Sequence, residues 1–294
     1  MVWCSGWELA SAVSNAGGLG IIGSGSMYPD ILVDHIEKCQ AATNKPFAVN
    51  VPLLYPNIEE HIANIIRLKV PIVFTSAGNP KTFTGRLKEA GLKVVHVVSS
   101  AKFAKKSEAA GVDAVVAEGF EAGGHNGQEE TTTMVLIPLV CDAVNIPVIA
   151  AGGIGTGRAM LAAFALGAEG VQIGSRFVCS EESSAHINFK NEVVAAIEGD
   201  TKLSLKKIVA VRLLKNKFYE EVKAAEDSGA GALELAALLG RGRAKKGMFE
   251  GDLDEGELEI GQISANINDI KPAAVIVKEI LDEYAAAKQQ LINT

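Results

Sequence analysis

The chain has 294 residues, 48% of them hydrophobic and 21% charged, enough to bury a large core and form one large domain or a barrel with an appendage. A formal net charge of −7 gives no overall attraction for nucleic acid or an anionic membrane, and no apolar run reaches the roughly 18 residues that a membrane span needs. Four cysteines (Cys4, Cys39, Cys141, Cys179) stand far apart with no C-x-x-C spacing, and the N-terminus lacks a basic region followed by an apolar one; both point to a soluble cytoplasmic protein with reduced thiols.

In chain order, Gly6–Ala16 reads as a helix that ends at Gly17-Gly18, and Leu19–Ile22 as a buried strand. Pro29–Thr43 reads as a helix and Phe47–Val51 as a strand carrying a polar Asn50, which is either a turn residue or a site residue at a strand end. The alternation continues with helix Ile58–Leu68, strand Ile72–Thr75, helix Thr82–Ala90 and strand Lys93–Val98. Helix Ala101–Ala110, strand Ala114–Ala117 and helix Thr133–Ala143 follow. Short, nearly all-apolar strands alternating with helices every ~20–30 residues argue for a parallel sheet.

Val148–Phe177 is the centre of the pattern. Two apolar runs, Val148–Ala151 and Gly170–Ile173, each end on glycine (Gly152-Gly153 and Gly174), with a helical stretch, Thr156–Leu166, between them. Glycine lets a backbone N–H approach an anion closely, and two neighbouring turns beside a helix N-terminus make a phosphate site in many barrels. The same glycines also suit tight turns alone, and spacing does not decide between the two.

Seven strands are visible, one short of a closed (β/α)8 barrel. The reading is therefore a TIM barrel that lacks its first strand in this chain, an open doubly wound sheet being the alternative. Residues 1–179 are read as the barrel core, 180–267 as a mainly helical appendage over the barrel mouth, and 268–294 as a helix returning to the barrel. The basic run Arg241–Lys246 reads as a solvated turn, or as a contact for an acidic partner.

Catalysis in such a fold sits at the C-terminal ends of the strands. His125, in a polar loop after Gly123-Gly124, is the sharpest candidate for a proton donor or a hydrogen bond to a carbonyl. His96, inside a strand run, reads as a satisfied core histidine; of Glu118 and Glu121, which flank the loop, one could bind a ribityl or ribose hydroxyl, and either could equally be a solvated loop charge. There is no nucleophile elbow, no metal-ligand cluster and no Rossmann fingerprint, which points to a bound cofactor as the source of the chemistry.

The segments AEGFEAGGHNG, TTTMVLIPLV, NIPVIAAGGIGTGRAM and LGAEGVQIGSRFV, with AVSNAGGLGIIG, FAVNVPLL and TSAGNP, closely resemble flavin-dependent nitronate monooxygenases and enoyl-acyl-carrier-protein reductases II. The resemblance runs from Met1 to the last helix and implies a TIM barrel with FMN at the strand ends. It implies phosphate contacts from Gly152, Gly153, Gly174 and Ser175, with Gln172 and Ile173 in the same segment. It places Asn50, Glu118 and Gly123 against the flavin, Met1 and Val2 near its ring, and His125 as the catalytic histidine.

Glu118 stands where many nitronate monooxygenases have glutamine, and AVRLLKNKF, GAGALELAALLGRG and ELEIGQISANI resemble the reductase. The implied activity is reduction of trans-2-enoyl thioesters by NADH or NADPH, with acyl carrier protein as a possible partner and a homodimer as the assembly. Oxidation of alkyl nitronates by oxygen is the alternative. Family members begin with a strand before the position of Met1, so an inactive, flavin-poor truncated fold is the alternative of another class.

Overall fold

The computed structural model describes residues 2–293. Met1, named above as a flavin neighbour, lies outside the described residues. The chain opens with helix α1 (Trp7–Asn15), strand β1 (Gly20–Gly23), α2 (Pro29–Ala42), β2 (Phe47–Pro52), α3 (Ile58–Arg67) and β3 (Ile72–Ser76). Next come α4 (Thr84–Glu89), β4 (Lys93–Val98), α5 (Ala101–Ala109), β5 (Ala114–Glu118), a two-residue β6 (Gly124–His125) and α6 (Thr133–Cys141). Then β7 (Val148–Ala151), α7 (Gly157–Ala165), β8 (Gly170–Gln172) and the short α8 (Ser175–Val178) complete the alternating part.

Seven parallel strands form one sheet in the order β1-β2-β3-β4-β5-β7-β8. The strands are mostly apolar on both faces because both faces are largely covered, with polar Asn50, Glu118 and Gln172 left facing the cavity. Ile22, Val49, Val73, Val94 and Val115 pack outward on the helices, where Leu32, Ile36, Ile62 and Leu87 are fully buried. Ala48, Phe74, Val95, Val116 and Ala151 meet on the inner face, so the sheet curls around its own small core. Each fully buried Ile, Leu or Val contributes roughly 1.5–3 kcal/mol of transfer free energy, and the outer layer holds most of them.

The parallel strands number seven among the described residues, as the repeat pattern implies, and β1 and β8 are the two edges of their sheet. The long helix α12 (Ala273–Ile292) packs on both α7 and α1. The helical layer is thereby continuous across the interval between the edge strands, although the sheet is open there.

The stretch between the barrel part and α12 holds α9 (Ile187–Ala195), β9 (Thr201–Ser204), β10 (Val211–Leu214), α10 (Lys217–Asp227) and α11 (Ala232–Leu239). It is mainly helical, and it also carries a small antiparallel sheet in the order β6-β10-β9. The segment AVRLLKNKF supplies β10, and this strand reaches back to hold the histidine loop. Asn216 caps α10 by accepting from the Tyr219 N–H at 2.9 Å. Among the described residues, no helix is long and apolar enough to cross a membrane.

Candidate active site

The register of the parallel sheet brings three strand ends side by side: Glu118 on β5 lies opposite Ala151 on β7, which lies opposite Gln172 on β8. The glycine turns that follow β7 and β8 are therefore neighbours. Gly152 and Gly153 have φ of +92° and +68°, a region that a side chain makes costly. A Cβ on Gly152 would stand 2.7 Å from the Gly119 carbonyl oxygen, so the turn is also closed to larger residues by packing. Gly174 is different: its φ is not positive, and a Cβ there would meet nothing within 4 Å.

The main-chain N–H groups of Gly152, Gly153, Gly174 and Ser175 have no acceptor among the described residues. Backbone donors are rarely left in this state unless water or a ligand takes them. The N-terminus of α7 is not part of this set. Thr156 Oγ1 accepts from the Ala159 N–H at 3.2 Å, and the Glu283 carboxylate accepts from the Gly157 N–H at 2.7 Å. Of the two helices beside the turns, α8 is the one whose first N–H faces the cradle without a partner.

The acidic residues of the β5 loop divide into two roles. Glu121 accepts from the Thr133 N–H at 2.9 Å, with the Thr133 hydroxyl also 2.9 Å away, and so fastens the loop to the start of α6. Glu118 has no hydrogen-bond partner among the described residues, and burial pushes its carboxyl up to about 7. Asn50 is buried at the end of β2, with its main-chain carbonyl accepting from Ser24 Oγ at 2.7 Å and its amide 3.5 Å from the Phe74 carbonyl. It is thus a strand residue on the inner face and not a turn residue.

His125 is exposed at the mouth, while its backbone is fixed by pairing with Val211 of β10. Asn126 holds the same loop, donating to the carbonyls of Ala122 and Gly124 at 2.9 and 3.0 Å. Composition and periodicity do not reveal the support beneath it. Arg212 is 2% exposed, lies over the Phe120 ring at 4.4 Å, and donates to the Phe120 carbonyl from Nε and Nη2 at 3.1 and 2.9 Å. His96, by contrast, is buried with its Nδ1 2.7 Å from Thr75 Oγ1, and burial lowers it to about 4.

All the residues expected from sequence to bind cofactor or act in catalysis, Met1 aside, line one cavity of about 1110 Å³. The cavity runs from the mouth to the interval between β1 and β8, where Ile21, Val171 and Ile280 line it. Its thiol, Cys4, is pushed up to about 12 by burial and is no nucleophile at neutral pH.

The donor set fits a phosphate-bearing flavin. Four unpartnered backbone N–H groups suit a phosphate, and the neighbouring cavity with Asn50, Glu118 and Gln172 on its wall has room for a ring system.

The family model for nitronate monooxygenase matches residues 1–65 and 57–283. The chain belongs to the nitronate monooxygenase family. This is a family of flavin-dependent oxidoreductases, and the fold and the cradle agree with it. Among curated relatives of the family, a hydroxy-methyl-oxo-octahydroindene-carboxyl-CoA dehydrogenase of Rhodococcus jostii is 40% identical over 206 residues, 70% of this chain and 58% of that protein. A probable nitronate monooxygenase of Staphylococcus saprophyticus is 38% identical over 239 residues, 66% of this chain and 67% of its own length. The chain thus spans little more than half of the first relative's length. Of solved structures, FabK from Thermotoga maritima has a TM-score of 0.95 at 44% identity, covering 100% of this chain and 93% of its own. A nitroalkane oxidase from Streptomyces ansochromogenes has a TM-score of 0.84 at 27% identity, covering 99% and 95%.

Proposed function

We propose that the chain is an FMN-dependent enoyl-acyl-carrier-protein reductase that uses NADH or NADPH to saturate trans-2-enoyl thioesters. The observation that carries this reading is the likeness to FabK over the whole chain at 44% identity, against 27% for the nitroalkane oxidase. Glu118, in place of the glutamine of many nitronate monooxygenases, supports the same branch.

In this reading Gly152, Gly153, Gly174 and Ser175 hold the phosphate through their N–H groups, and Asn50, Glu118 and Gln172 border the ring. Bound FMN, reduced by NADH or NADPH, would supply the hydride that Cβ of the enoyl thioester takes. His125 then has two tasks at the mouth. Its ring N–H donates to the thioester carbonyl oxygen, where negative charge builds as Cβ is reduced, and a donor aimed there lowers the barrier. The same imidazole is placed to hold the proton that Cα takes, which completes the addition of hydride and proton across the double bond. The Cys4 thiol takes no part.

Nitronate oxidation is the second reading, favoured by the family model and the staphylococcal relative. His125 would then take a proton from the substrate, and oxygen would be the oxidant. Carrier-protein docking on the basic run has less support. Arg243 donates to the Glu255 carbonyl at 2.7 Å, while Lys245 and Lys246 pair with Glu250 and Asp252 at 2.9 and 3.2 Å. Those charges serve the fold itself.

Anaerobic stopped-flow mixing of the FMN-loaded protein separates the readings. The reductase reading requires rapid bleaching by NADH or NADPH and reoxidation by crotonyl thioester. His125→Ala should slow that reoxidation by about 10²-fold or more. Bleaching by an alkyl nitronate and recovery with oxygen, without response to the thioester, would favour the second reading.

A further inference from the structure

The histidine loop is built against one short segment of the appendage. Gly124 and His125 pair with Arg212 and Val211 along one edge of β10. Glu259 bridges to Leu213, and the Leu214 N–H donates to the Leu258 carbonyl at 2.9 Å, both on the same strand. Strand β9 occupies the other edge of β10, so the histidine loop and Glu259 lie end to end on one edge. The contact between them leaves no free space. A Cβ on Gly123 would stand 2.4 Å from the Ile260 carbonyl carbon, and one on Gly124 would stand 2.5 Å from Glu259 Oε2. Gly123 is required because the Ile260–Gly261 backbone passes there, and Gly124 because its φ is +75°, with the Glu259 carboxyl lying against it.

The Glu259 carboxyl lines the cavity beside His125 and has no hydrogen-bond partner among the described residues. We propose that Glu259 is a positioning residue for His125, its carboxyl orienting the imidazole so that the other ring nitrogen faces the substrate. This deepens the reading of His125 as the group at the thioester oxygen and rests on it. A carboxylate on one ring nitrogen fixes the tautomer and the direction of the other. The other titratable groups near the carboxyl are Cys4, Tyr55 and Glu257, with Arg243 next to Glu257. Burial raises Glu259, and the His125 charge is the largest influence that lowers it.

The test has two independent arms. The chain has five histidines, and imidazole-labelled NMR of the cofactor-free protein resolves them, with His125→Asn assigning the signal of interest. In Glu259→Gln the His125 signal should move while those of His35, His61, His96 and His186 stay. In the FMN-loaded protein, Glu259→Gln should slow reoxidation by crotonyl thioester roughly tenfold, the scale of one charge-assisted contact that closes between Glu259 and the imidazole only when the substrate engages the ring. FMN affinity and the reductive step should be unchanged. Glu259→Asp should recover part of the rate, and Glu259→Gln should add nothing in a His125→Ala background.

An unmoved His125 signal, or equal slowing with and without His125, overturns the proposal. Should His125→Ala leave turnover intact, the reading of the reaction falls, while the NMR arm still decides whether Glu259 governs the imidazole. Glutamine keeps the volume of Glu259 and relieves the charge repulsion with Glu257; Glu259→Asp serves in the NMR arm if Glu259→Gln does not fold.

Discussion

Gly174→Ala tests the anion cradle with little interference from the rest of the fold. A Cβ at Gly174 meets no atom within 4 Å and needs no positive φ, so the cofactor-free protein should keep its stability to within about 0.5 kcal/mol. The methyl group instead occupies cavity space beside an N–H that has no protein acceptor. A displaced phosphate oxygen would forfeit one charge-assisted hydrogen bond, about 1.5–3 kcal/mol, or roughly a 10- to 100-fold rise in the Kd for FMN. Gly152→Ala should behave in the opposite manner. Its φ of +92° and the 2.7 Å approach to the Gly119 oxygen make it a folding defect before it is a binding defect. Thermal unfolding without FMN, followed by titration of FMN fluorescence, measures both quantities. Melting of Gly174→Ala well below the parent without FMN, or FMN binding as tight as the parent's, would contradict an open cradle at this turn.

Glu118→Gln should change the pH dependence of stability. The folded carboxyl titrates at about 7 against an ordinary 4.5, so its contribution is full below pH 4.5 and is lost as pH rises through 7. The variant should match the parent near pH 4.5 and exceed it at pH 8, by at most about 3 kcal/mol in urea titrations; equal differences at the two pH values would contradict the burial argument. His96→Gln tests the opposite sign. Its folded value of about 4, against 6.5, means that the unfolded chain takes up the proton first, so stability is lost as pH falls from 6.5 toward 4. The variant should show less loss over that window, by up to about 3 kcal/mol, and an unchanged slope would reject the assignment.

The parallel strands were legible because each is a short apolar run ending in glycine or a polar site residue, and both faces of the sheet are covered. Val148–Ala151 falls where the apolar run predicts, and the β7 and β8 turns are adjacent because parallel register forces neighbouring strand ends together. The antiparallel support of the histidine loop was not legible. Arg212 sits in KKIVAVRLLKNKF, an alternating then basic stretch, yet it is buried against Phe120, 92 residues earlier in the chain. Local periodicity carries no trace of a pairing at that separation. Glu259 is a similar case, since its importance comes from Gly124, which it touches only after folding. The division of labour between Glu118 and Glu121 was likewise open until Thr133 supplied a partner for one and none for the other.

The central claim is that main-chain amides at the two glycine turns bind the phosphate of FMN. Calorimetric titration of the cofactor-free protein with FMN and with riboflavin, which lacks that phosphate, tests it most directly. FMN should bind at least about 100-fold more tightly, the worth of two or more charge-assisted hydrogen bonds. Equal affinity for the two flavins, or binding of neither, would contradict it.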